Sequence, residues 1–182
     1  HLRLGEVLRR AGQMQASIDV LRRAQQLEPN NVMTNLQLAM TLDAAGLKRE
    51  SIPIYESIIK IQPDNAIALN NLAFMLAEDG RDLDQALTYA QRARQQMPNN
   101  PDVADTLGWI YIRKNLSDNA IRIFRELTAK HRDNPTYHYH LGMALYQKGD
   151  RGGAKQSLQT ALSLRPSREE EAKIRELITK VS

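Results

Sequence analysis

Residues 105–134 read DTLGWIYIRKNLSDNAIRIFRELTAKHRDN, and residues 139–168 read YHLGMALYQKGDRGGAKQSLQTALSLRPSR. Set one above the other, 34 residues apart, they share a leucine (Leu107, Leu141), a glycine directly after it (Gly108, Gly142) and a later alanine (Ala120, Ala154). Working outward, the leucine column runs Leu4, Leu38, Leu72, Leu107, Leu141, at steps of 34, 34, 35 and 34 residues. A fixed period of this size belongs to a stacked array of small units, each too small to hold a core alone. The residue after each leucine is small: Gly5, Ala39, Ala73, Gly108 and Gly142. Four positions beyond it comes a large one: Leu8, Leu42, Leu76, Tyr111 and Leu145. An i, i+4 pair shares one helix face, and the small residue between lets a second helix approach closely.

Each first helix closes on Gly12, Gly46, Gly80, Asn115 or Gly149, residues that tolerate the left-handed conformation. A second amphipathic segment follows. It carries a small column (Ser17, Ser51, Ala86, Ala120, Ala154) and then Leu21, Tyr55, Ala90, Phe124 and Leu158. It ends near Pro29, Pro63, Pro98 and Pro166, with Arg132 in the fourth place, because proline cannot continue a helix. Asn30, Asn65, Asn100 and Asn134 supply turn chemistry before the next helix. Pro53 is expected in a first helical turn, where it is tolerated. Gly152 and Gly153 should each weaken a helix start by about 1 kcal/mol relative to alanine.

These small-residue, leucine, glycine and proline columns resemble the tetratricopeptide repeat family. The resemblance covers residues 1–168 in units of approximately 1–31, 32–65, 66–100, 101–134 and 135–168. It implies an all-α fold, a right-handed α-solenoid of stacked antiparallel helix pairs. Ile58 and Leu127 depart from the family's usual alanine, and Ala90 from a bulky residue. The third unit has one extra residue near EDGRDLD, which should lengthen its inter-helix turn. Residues 169–182 read as a C-terminal capping helix: Ser167 is a plausible N-cap, three glutamates follow, and Ile174, Leu177, Ile178 and Val181 share one face. No cap precedes Leu2, Leu4 and Leu8, so the chain reads as a piece of a longer protein. Its uncapped start is a route to self-association.

Composition fits an ordered soluble protein, with 42% hydrophobic and 25% charged residues. No apolar run approaches the ~20 residues of a membrane span, so no membrane insertion is expected. The compartment stays open between cytoplasm and periplasm, since a chain with no cysteine suits either. The formal charge is +4, and the excess is local: residues 135–168 hold five basic side chains against Asp150 alone. A basic track along the whole array, as nucleic acid would need, is missing.

In this family a stripe on each first helix lines the concave groove that receives a partner. The resemblance places there Leu36, Met40, Ile67, Asn70, Phe74, Trp109, Tyr139, Met143 and Tyr146. The stripe is apolar and aromatic although the repeat columns do not require it for packing, and such patches mark interaction sites. Trp109, rigid and central, is the expected anchor. Tyr139 and Tyr146 are expected to be exposed. The family's carboxylate clamp is absent: the matching places hold Leu36, Met40, Asn71, Asp102 and Thr106, and Asp102 would repel an acidic tail. Asn70 and Asn71 remain able to hydrogen-bond an extended backbone.

Other chemistry is weak. His138 and His140 lie two apart, pointing away from one another on a helix, so no metal site is expected. No nucleophile or phosphate-loop signature is present, and no enzyme activity or cofactor is expected. The leading function is a protein–protein interaction scaffold that binds a peptide or amphipathic helix in an apolar groove, with only mild dependence on salt. The repeat style looks bacterial and suits envelope, secretion or polysaccharide-export assemblies. The alternatives are an RNA-binding helical repeat and a self-assembling structural module.

Overall fold

Asparagine side chains open four of the first helices. Asn31, Asn65, Asn100 and Asn134 each accept a hydrogen bond from a backbone N–H of the following turn, at 2.9–3.3 Å. In the first of these Asn30 lies in the turn and Asn31, directly before the helix, reaches its free amides as the cap. The computed structural model describes residues 1–80 and 82–181. Those residues form eleven helices: α1 (Leu2–Arg10), α2 (Met14–Leu27), α3 (Val32–Ala44), α4 (Lys48–Ile61), α5 (Ala66–Asp79), α6 (Leu83–Gln96), α7 (Pro101–Arg113), α8 (Ser117–Lys130), α9 (Pro135–Lys148), α10 (Arg151–Ser163) and α11 (Arg168–Val181).

The breaker column behaves as its chemistry dictates. Gly12, Gly46, Gly80, Asn115 and Gly149 all have positive φ, between 56° and 89°. After Gly80 two residues precede the next helix, where one does after Gly12, Gly46, Asn115 and Gly149. Asp82 takes φ 47° and caps α6 there, while Arg81, part of the expected extra turn, lies outside the described residues. Pro53 departs from expectation. It is the sixth residue of α4, past the first turn, so α4 forgoes one backbone hydrogen bond at that point.

Within each pair the small columns set the approach. A Cβ built on Gly108 would stand 2.6 Å from Phe124 Cζ, and one on Gly142 2.7 Å from Leu158 Cγ. Ser17, Ser51, Ala86, Ala120 and Ala154 are fully buried in the same seam. Ser17 satisfies itself there by donating to the carbonyl of Gly5 at 2.7 Å. Tyr55, also fully buried, accepts from Asn71 Nδ2 at 2.9 Å, and burial pushes its hydroxyl pKa well above the ordinary phenol range.

Across pairs, packing is asymmetric. Among the described residues α1 touches α3, α5 touches α7, α7 touches α9 and α9 touches α11. No two even-numbered helices share more than marginal contact. Except between α3 and α5, the odd helices therefore form a close inner layer and the even ones a splayed outer layer, which curves the array into a solenoid with the odd helices on its concave side. The core divides accordingly. The largest apolar cluster runs from α7 to α11, while Ile18, Leu21, Leu38 and Leu42 make a small one near the start. Leu4, alone in its column, is 50% exposed; among the described residues α1 packs against α2 and α3. At the other end α11 covers α10 and α9 with Ile174 and Val181 buried.

Candidate interaction groove

On the inner face, residues four apart recur at matching positions of successive odd helices. One row holds Met40, Phe74, Trp109 and Met143, and the row below it holds Leu36, Asn70, Asp105 and Tyr139. Met33, Met40, Ile67 and Phe74 are 59%, 38%, 41% and 41% exposed, an apolar series that packing leaves open. Leu36 is a correction. It is only 7% exposed and packs with Ala39, Tyr55 and Leu72, so its side chain belongs to the core and borders the groove at most by its edge. Ala77 and Ile112, one turn beyond Phe74 and Trp109, are buried as well.

Trp109 is half-buried and heavily engaged. Its ring stacks on His140 at 5.2 Å between centroids, the guanidinium of Arg113 lies 5.8 Å from its centroid, and its Nε1–H donates to Glu78 at 3.0 Å. His140 in turn donates from Nδ1 to Asp105 at 2.8 Å and meets Phe124 edge-on. Three consecutive odd helices are thus tied together through one tryptophan. This cluster escapes a helix-by-helix reading, in which His140 counts only as a failed metal ligand. The signal lies in the period: Asp105 and His140 are 35 residues apart, nearly one repeat, which places them side by side on neighbouring first helices.

Tyr139, Met143 and Tyr146 are half-buried against the C-terminal cluster rather than openly exposed. Burial raises the Tyr139 hydroxyl pKa, Lys173 opposes the rise, and Glu170 adds to it. The cause is α11, whose first turns stand over this end of the groove. The resulting hollow has a volume of about 530 Å³ and takes in Phe74, Glu78, Asp105, Trp109, Tyr139 and Glu170. A smaller one of about 190 Å³ lies between α1 and α3, bordered by Met33, Met40 and Gln37. A larger hollow, about 680 Å³, faces the turn between α3 and α4 and Asp79, away from the stripe. Of the two asparagines, Asn71 is occupied by Tyr55, while Asn70 Oδ1 is buried and accepts no hydrogen bond within the protein. His138 bonds the carbonyl of Arg132 at 3.0 Å, well apart from His140's partner.

Sequence models of the tetratricopeptide repeat match residues 1–31, 36–101, 76–142 and 135–168, nearly the whole array. The chain belongs to the tetratricopeptide repeat family. A curated relative, the TPR repeat-containing protein PA4667 of Pseudomonas aeruginosa, is 29% identical over 104 residues. That stretch is 55% of this chain and 18% of the relative, so the chain spans only a small part of that protein's length. Among solved structures, PilW, described as a widely conserved type IV pilus biogenesis factor, superimposes with a TM-score of 0.84 at 15% identity, covering 98% of this chain and 83% of PilW. YrrB, described as a TPR protein with an unusual peptide-binding site, gives 0.76 at 16% identity, covering 96% and 90%. MamA from Desulfovibrio magneticus RS-1 gives 0.78 at 17%, covering 91% and 93%. At these identities the likeness is one of fold. The tetratricopeptide array contains, among its described residues, no helix long and apolar enough to cross a membrane.

Proposed function

We propose that this array is a protein–protein interaction scaffold whose inner groove docks a peptide segment or an amphipathic helix. One observation carries the reading: Met33, Met40, Ile67 and Phe74 stay exposed along the inner helices although they are large and apolar. Asn70, Trp109, Tyr139, Met143 and Tyr146 complete the docking surface. The family's general use as a scaffold supports this. A setting in a bacterial envelope, secretion or polysaccharide-export assembly goes with it, on the style of the repeats alone. RNA is the poorer occupant, because carboxylates of Asp102, Asp105 and Glu78 stand where a phosphate chain would pass.

Because Trp109 already holds neighbouring helices together, Phe74 is the cleaner residue to test. The chain and its Phe74→Ala variant, each immobilised, are compared for the proteins they capture from a bacterial extract. A genuine groove partner should bind Phe74→Ala at least thirtyfold more weakly, roughly 2 kcal/mol, as for a hot-spot aromatic. Circular dichroism should stay unchanged. Equal capture by both forms sinks the reading.

A further inference from the structure

We propose that the C-terminal half of the groove takes a cationic segment: a lysine or arginine flanked by apolar side chains. This rests on the peptide-groove reading above and names the chemistry of its ligand. The floor of the hollow is aromatic, with Phe74 the most open ring. Its walls carry Glu78, Asp105, Glu169 and Glu170 against a single ammonium, Lys173. That ammonium is already held by Glu169 at 2.7 Å. The hollow is therefore acidic within a chain whose formal charge is +4, so its charge is a local property and not an overflow of composition.

The hydrogen-bonding groups point the same way. Glu78 accepts the Trp109 indole with one carboxylate oxygen. The carboxylates on the walls only accept, and guanidinium and ammonium groups bring donors and positive charge together while accepting nothing. The aromatic floor suits the same groups, since a cation is attracted to a ring face. The array uses that contact itself where Arg113 lies over Trp109. An acidic segment would meet like charge from Glu78, Asp105 and Glu170. A purely apolar contact is nearly indifferent to salt, whereas this one weakens as salt rises, because exposed charges are screened beyond a Debye length of about 8–10 Å.

A random 12-residue peptide library displayed on phage is selected against the full chain at low salt. Enriched peptides are then measured by fluorescence anisotropy at two salt concentrations. The expected result is enrichment of peptides with net positive charge and at least one lysine or arginine beside an apolar residue. Their binding should fall with Phe74→Ala, and by about two- to fivefold with each of Glu78→Gln and Glu170→Gln. Neutral or acidic peptides that depend on Phe74 but ignore the two glutamine variants would overturn the cationic assignment and leave the groove reading standing. Peptides that ignore Phe74 altogether would overturn both. Sedimentation of the chain alone is run alongside. A dimer that Glu170→Gln dissolves would make a second copy the occupant and overturn the peptide assignment.

Discussion

At Gly108 the fold turns on the absence of one carbon. A methyl there would sit 2.6 Å from Phe124 Cζ, a ring with no exposure and nowhere to move. Gly108→Ala should therefore destabilise the array by about 1–3 kcal/mol, the usual cost of overpacking. Gly152 is the counter-example. It lies in the first turn of α10 with nothing closer than 3.9 Å, so Gly152→Ala should stabilise by about 0.5–1 kcal/mol through helix propensity. Gly153 is not equivalent to it, although the two are neighbours of the same type. Its amide donates to the Asp150 carboxylate at 2.9 Å, and a Cβ would come within 2.5 Å of that same carboxylate. Urea unfolding of the Gly108 and Gly152 variants checks the signs. A neutral Gly108→Ala would mean that α7 and α8 are not in this close approach.

At the scale of a helix, α11 both closes the stack and shapes the groove. It buries Ile174 and Val181 on one side and brings Glu169, Glu170 and Lys173 to the hollow on the other. Deleting residues 168–182 should expose the last apolar face, lower the melting temperature and increase light scattering. A truncated chain as soluble and cooperative as the parent would deny α11 its closing role. This helix was legible in the sequence from its caps and apolar face, and so were the breakers and leucine columns, because each follows from local chemistry repeated in register. What the sequence hid depends on the angle between neighbouring helices. Leu36 and Met40 are both apolar and one turn apart, yet one is buried and the other open. The two tyrosines expected in the open are half covered because α11 folds over them. Cross-repeat partners were readable in principle. Arg22–Glu50 and Arg92–Asp64 are spaced by 28 residues, and Lys114–Asp84 and Lys148–Asp118 by 30. Opposite charges somewhat under one period apart are the pattern to seek.

For the whole molecule, stability is graded along the chain. The cluster from α7 to α11 contains fifteen buried residues, and the one around α2 and α3 contains four. In α1 the buried residue is Gly5 alone, among those described. Opening free energies in a stacked array follow such local sums. Native-state hydrogen exchange should find the amides of α1 and α2 released well before those of α7 to α10. Uniform protection would instead mean one cooperative block. The contact asymmetry between layers has a mechanical consequence. Between the pair α3–α4 and the pair α5–α6, neither the inner helices nor the outer ones share more than marginal contact, and α4 against α5 carries the joint. The core shared by α3, α4 and α5 and the Asn71–Tyr55 hydrogen bond hold that joint from one side only. Flexing should therefore concentrate there, so that a thicker or thinner guest changes the curvature at this joint before it disturbs the half around Trp109.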